Sequence, residues 1–213
     1  LTERVLSWYG TVMAATSGYE LYVVVDYFER IDEKEAMRAL AHELTHVVQY
    51  YYFKPEAPDK TFDGLEAYSA LIEGDADLTA DILVDNPVPV KKESPEDAYF
   101  KLKSFPYLYG ETFVYGLWKA GGWELVNDAY KSKPPRSTEQ IMHPSKYLSR
   151  EKPVPLSLDA PPGMRPIKSD RLGEYFIYVL MSQWLGDRAA KEISNGWGGD
   201  NVTLFVDEAR SSY

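Results

Sequence analysis

A chain of 213 residues, 45% apolar and 26% charged, is long enough for one good hydrophobic core with a smaller second lobe. Its formal charge of −10 argues against a nucleic-acid backbone or an anionic membrane as the main partner. It has no cysteine, which removes disulfides, thiol nucleophiles and cysteine-held clusters, so any metal must be held by His, Asp or Glu.

In chain order, the start at Leu1 rather than Met is compatible with a removed signal peptide, and leans towards an extracellular or cell-envelope location. YELYVVVD, 19–26, is a run of aromatic and β-branched residues that reads as a strand. Asp32 is an N-cap with Glu33 and Glu35 in the first turn of a helix to about Phe53, stopped by Pro55 and Pro58. A second helix fits 63–84, before Asn86-Pro87. A third helical region covers about 95–119, broken at Phe105-Pro106, and Gly121-Gly122 introduces a short helix at 123–131. Ser137 and Gln140 have capping-box spacing for a helix at 138–143. Five prolines (153, 155, 161, 162 and 166) make 151–166 an extended crossing segment. Helices at 170–185 and 187–194 follow, then NGWGGDN as a tight turn and VTLFVD, 202–207, as a strand. No stretch reaches the ~18 apolar residues of a membrane span; the richest, 174–185, is short and carries Glu174 and Gln183. These elements make a single mostly helical α+β domain over 1–213: a core at about 19–150, the crossing segment, and a C-terminal helical lobe at 167–213.

Two of the three histidines fall in ALAHELTHVVQY, 39–50. His42, Glu43 and His46 spell H-E-x-x-H, which chance would place in roughly one sequence of this composition in three hundred. On a helix, residues four apart lie about 40° apart around the axis, so both imidazoles can converge on one ion. Glu43, about 100° round from His42, can instead lean over the ion's open position and take a proton from water. Ala36, Met37, Ala39, Leu40, Ala41, Leu44, Val47 and Val48 wrap most of the circumference, so the helix is expected to be enclosed. Three buried polar side chains then need partners, and a divalent cation supplies one for all.

The second helix carries Glu66, Glu73 and Asp77 on one face, with Asp75 about 160° away. Asp75 and Asp81 read as a solvated acidic face. Glu73 sits among small and apolar neighbours, with Gly74 allowing close backbone approach. HELTH followed by EGDAD resembles the gluzincin class of zinc metallopeptidases, thermolysin-like enzymes among them. STEQ-x-x-HP-x-KY and GWGGD extend the resemblance, over most of 36–207, to a family of bacterial and archaeal gluzincin-like proteins. It implies zinc on His42, His46 and Glu73, with Glu66 as runner-up ligand, and Asp77 accepting a hydrogen bond from His42. Such a ligating imidazole needs a partner on its other nitrogen. The class commonly steadies the oxyanion with His or Tyr, for which His143 and then Tyr147 are candidates. Trp118, Trp123 and Trp184 read as core, and Tyr107 and Tyr109 as packing residues that could line a cleft.

The expectation is a zinc metallopeptidase acting on a peptide or protein, with Glu43 as general base. As a hypothesis, the 19–26 strand aligns an extended substrate by strand addition. The alternatives are a metal-binding module without turnover and a hydrolase of a non-peptide amide.

Overall fold

The computed structural model describes residues 13–207. Its elements are β1 (Ala14–Ser17), β2 (Glu20–Val23), a one-turn α1 (Val25–Phe28), α2 (Glu33–Phe53), α3 (Phe62–Leu83), α4 (Ala98–Lys103), α5 (Phe105–Lys131), α6 (Thr138–Met142), α7 (Pro144–Leu148), β3 (Met164–Asp170), α8 (Gly173–Ser194) and β4 (Val202–Asp207). The fold is mostly helical α+β, with two antiparallel two-stranded sheets, β1–β2 and β3–β4, among the described residues. No helix of these residues is long and apolar enough to cross a membrane. The expected domain ends at 1 and 213 lie outside the described residues.

Local chemistry sets the helix ends. Asp32, in extended backbone, accepts from the Glu35 amide at 2.8 Å and starts α2. Lys54 closes that helix in the left-handed region, φ 46°, immediately before Pro55. Thr61 caps α3 through the Gly64 amide at 3.1 Å. The expected break beside Phe105-Pro106 falls at Ser104: α4 ends at Lys103, and Pro106 sits in the first turn of α5, where proline is tolerated because the amide has no partner. Gly121 and Gly122 interrupt α5, and Gly186 interrupts α8 at φ 75°, close to the expected breaks. Ser137 accepts from the Gln140 amide at 3.3 Å, while the Gln140 side chain reaches the Arg136 amide, one residue beyond a capping-box partner.

Four expectations change. The 19–26 run pairs only over Glu20–Val23, and 25–28 turns into α1. The partner strand β1 is the small-residue run AATS, which has little strand signature of its own. The end of the proline-rich segment becomes β3; Pro166 is accommodated because the register shifts between Pro166 and Lys168. Finally, α2 is not enclosed, since Met37, Leu44 and Val48 are about half exposed, and of the three tryptophans expected in the core Trp123 is exposed and Trp184 largely so.

α3 is the central element, packed between α2 and α5. At its crossing with α5, a Cβ on Gly74 would stand 2.1 Å from the Gly110 carbonyl carbon and 2.2 Å from its oxygen. Backbone meets backbone there, so nothing flexible can yield. Gly74→Ala is expected to cost about 3 kcal/mol or more, or roughly 6–12 °C in Tm for a chain of this size. A thermal melt within 2 °C of wild type would show that the crossing tolerates a methyl group.

Candidate metal centre

The pitch of α2 sets His42 and His46 one turn apart, their rings edge to face with centroids 4.8 Å apart. Glu73 meets them from α3. The two Nε2 atoms are 3.1 Å apart, and Glu73 Oε2 lies 3.3 Å from that of His42 and 3.6 Å from that of His46. Ligand atoms at zinc distances of about 2.0–2.1 Å in tetrahedral directions stand about 3.4 Å from one another. The spacing and the two-nitrogen, one-oxygen donor set therefore fit a zinc ion, with a fourth position left over.

Partners on the outer nitrogens decide which lone pairs face inwards. His42 Nδ1 lies 3.1 Å from Asp77 Oδ1. Burial alone would raise the Asp77 carboxyl, but His42 and Lys92 hold it well below the usual carboxylate range. Arg38 adds a further contact at 3.2 Å, and Lys92 sits at 2.6 Å from Oδ2. An ionised carboxylate only accepts, so His42 Nδ1 carries the hydrogen. His46 Nδ1 is 2.9 Å from Gln49 Oε1. The Gln49 amide nitrogen faces the Ile72 carbonyl at 3.0 Å and Asp75 Oδ2 at 2.8 Å, both acceptors, which leaves its oxygen for His46.

With both Nδ1 atoms donating outwards, two imidazole lone pairs and one carboxylate oxygen converge on a single point. Such an arrangement requires a cation, either a proton or a metal ion. In the metal-free protein a proton serves. Burial lowers the His42 imidazole, but the Asp77 and Glu73 carboxylates outweigh it and raise it to about 9. Burial raises the Glu73 carboxyl, and the two histidines more than reverse that, holding it at about 2.

Asp75 and Asp81 do not form a solvated face. Both are buried, Asp75 on Gln49 and on the Tyr130 hydroxyl at 2.9 Å, and Asp81 on Arg38 Nε at 2.5 Å. Gln49 and Asp75 thus brace the second imidazole, a role the sequence signals only through the i, i+3 spacing of His46 and Gln49. Glu66, on the same face of α3 as Glu73, is not part of the converging set; burial raises its carboxyl to about 7 against the pull of Lys103.

Glu43, beside His42, borders a cavity of about 270 Å³ whose other walls include Met13, Ala14, Arg38 and Asp77. Its Oε2 accepts from Thr16 Oγ1 of β1 at 2.7 Å. An aromatic donor stands at the cluster in Tyr107, whose hydroxyl hydrogen-bonds the Glu73 carboxylate, rather than in either residue expected for that role. One turn after Tyr107, Gly110 lets α5 press against Gly74, and Gly74 adjoins Glu73; the close crossing brings the tyrosine to that carboxylate. Burial raises the Tyr107 hydroxyl, and Glu73, Asp77 and Glu43 raise it further, so it remains a neutral donor. The pairing of Gly74 with Gly110 is the sequence signal that could have found it.

His143 and Tyr147 are placed elsewhere. His143 Nε2 is 2.9 Å from Glu174 Oε1, in a cavity of about 370 Å³ walled by Tyr109, Met142 and α8 residues and by none of the converging three. Tyr147 is 1% exposed and donates to the Lys133 carbonyl at 2.8 Å, its ring edge-on to Phe113. It is a packing residue with its hydroxyl already committed. Asp200 of GWGGD accepts from the Leu172 and Gly173 amides and from Trp197 Nε1, which makes that loop a brace for the start of α8.

No family model, curated protein or solved structure matches the chain.

Proposed function

We propose that the protein is a zinc-dependent hydrolase of gluzincin type, acting as a metallopeptidase. One observation carries this reading: three acceptor atoms converge at ligand spacing, two of them on imidazoles whose tautomers are fixed from behind by Asp77 and Gln49. His42, His46 and Glu73 hold the ion. Zinc bound there supplies a water acidified towards neutrality and polarises a carbonyl oxygen. Glu43, one residue from a ligand and on the open cavity, takes the attacking water's proton and passes it to the leaving amine. The Tyr107 hydroxyl donates to the oxyanion that develops on the peptide carbonyl. Among the described residues β1 pairs only with β2, and an extended substrate adds to the other edge of β1, whose Thr16 contacts Glu43, rather than to β2.

Removing the hydroxyl in Tyr107→Phe is expected to lower kcat about a hundredfold with KM little changed. A loss under threefold would return the donor role to another group, and His143→Gln would then be assayed beside it. Elemental mass spectrometry and digestion of a peptide library test the whole reading. One zinc per chain and chelator-sensitive cleavage are expected. Zinc without cleavage favours the binding module or a non-peptide amide, and no metal after incubation with zinc at neutral pH ends the reading.

A further inference from the structure

We propose that Thr16 is a positioning residue for Glu43, fixing from β1 the direction in which the carboxylate addresses the ligand face. The proposal rests on the hydrolase reading above. A glutamate free at the edge of a cavity samples several rotamers, and ordering such a side chain costs conformational entropy. Thr16 Oγ1 lies 2.7 Å from Glu43 Oε2 and 2.9 Å from the main-chain oxygen of the same residue. A single hydroxyl thus spans both ends of the Glu43 side chain and closes it into a ring that few rotamers satisfy.

The hydroxyl is itself fixed. Ala14 and Thr16 turn towards α2 in the alternation of β1, while Ala15 and Ser17 are exposed. Threonine is stiff at χ1 because of its branched Cβ. The hairpin is pinned about two turns further along α2, where Tyr19 meets the Tyr50 ring edge-on at 5.0 Å. Gly18, at φ +61°, makes the tight turn that brings Tyr19 there. The carboxylate is the stronger acceptor while ionised. Once Glu43 holds the water's proton, the hydroxyl can donate to the main-chain oxygen and accept from the acid, so the contact survives the proton's stay.

Thr16→Val keeps the shape and removes the hydroxyl, whereas Thr16→Ser keeps the hydroxyl. On a peptide cleaved by the wild type, Thr16→Val is expected to lower kcat about tenfold, with KM and zinc content unchanged, and Thr16→Ser to recover most of the loss. A second readout needs no activity. Thr16→Val should lower Tm more in the wild-type background than in Glu43→Ala, because only the former has the contact to lose. Unchanged kcat in Thr16→Val, failure of Thr16→Ser to recover, or additive melting shifts would each overturn the proposal. A wild type that binds zinc and cleaves nothing would fail the hydrolase reading instead, and the melting cycle would still decide whether Thr16 holds Glu43.

Discussion

On the hydrolase reading proposed above, Glu43→Gln is expected to lower peptide hydrolysis by about 10²–10⁴-fold, the usual worth of a positioned general base, while zinc content stays at one ion per chain. Glutamine has the size and shape of glutamate and can still accept from Thr16, so the hairpin contact at 2.7 Å is retained in its geometry. It cannot take a proton from water. Glu43 contributes no atom to the converging set of His42, His46 and Glu73, so zinc affinity should stay within a few fold of wild type. The joint outcome separates roles that an activity assay alone would merge. A ligand substitution such as His46→Ala loses metal and activity together, whereas Glu43→Gln loses activity alone. A Glu43→Gln protein that holds zinc and hydrolyses at the wild-type rate would sink the mechanism. One that loses zinc would move Glu43 into the ligand set, against the geometry of α2.

The sequence exposes the parts of this site that depend on a single helix, and hides the parts that depend on a crossing. His42 and His46 are legible because helical pitch alone brings residues four apart together, and Glu73 and Asp77 share a face of α3 for the same reason. The caps at Asp32, Thr61 and Ser137 are short-range in the same way, so helix limits follow from them closely. Tyr107 is not legible by pitch, because its arrival at Glu73 depends on two glycines, 74 and 110, meeting across helices. Burial misleads in both directions for a similar reason. The apolar wrap of α2 suggests an enclosed helix, yet Leu44 and Val48 line an open groove of about 800 Å³ on the side turned from the histidines. Asp75 and Asp81 look like solvated carboxylates until Gln49, Tyr130 and Arg38, all distant in sequence, are brought to them. β3 stays hidden because Pro166 argues against a strand unless a shift of register is known to absorb it.

If zinc occupies the site as proposed, chelation at pH 7.5 is expected to lower Tm by about 8–16 °C. Free zinc at a thousand times its Kd stabilises a folded site by about 4 kcal/mol, and a chain of this size shifts roughly 2–4 °C per kcal/mol. The loss depends on pH, because the metal-free site is held by protons instead. His42 has its pKa raised from 6.5 to about 9 in the metal-free fold, so its contribution is complete below 6.5 and is lost as pH rises through about 9. Glu73 has its pKa lowered from 4.5 to about 2, so its contribution is complete above 4.5 and is lost as pH falls through about 2. As far as these two groups decide it, the metal-free protein is most stable between pH 4.5 and 6.5 and weakens from 6.5 towards 9. Zinc behaves oppositely, since it needs neutral imidazoles and gains affinity as the proton leaves. The interval between the metal-free and zinc-loaded melting temperatures therefore widens as pH rises from 6 to 9. Paired melts across that range, with zinc removal verified by mass spectrometry, read this directly. An interval that narrows with pH would show that His42 and Glu73 are not where the ion and the proton compete, and an unchanged melting curve after metal loss would show that the site does not tie α2 to α3.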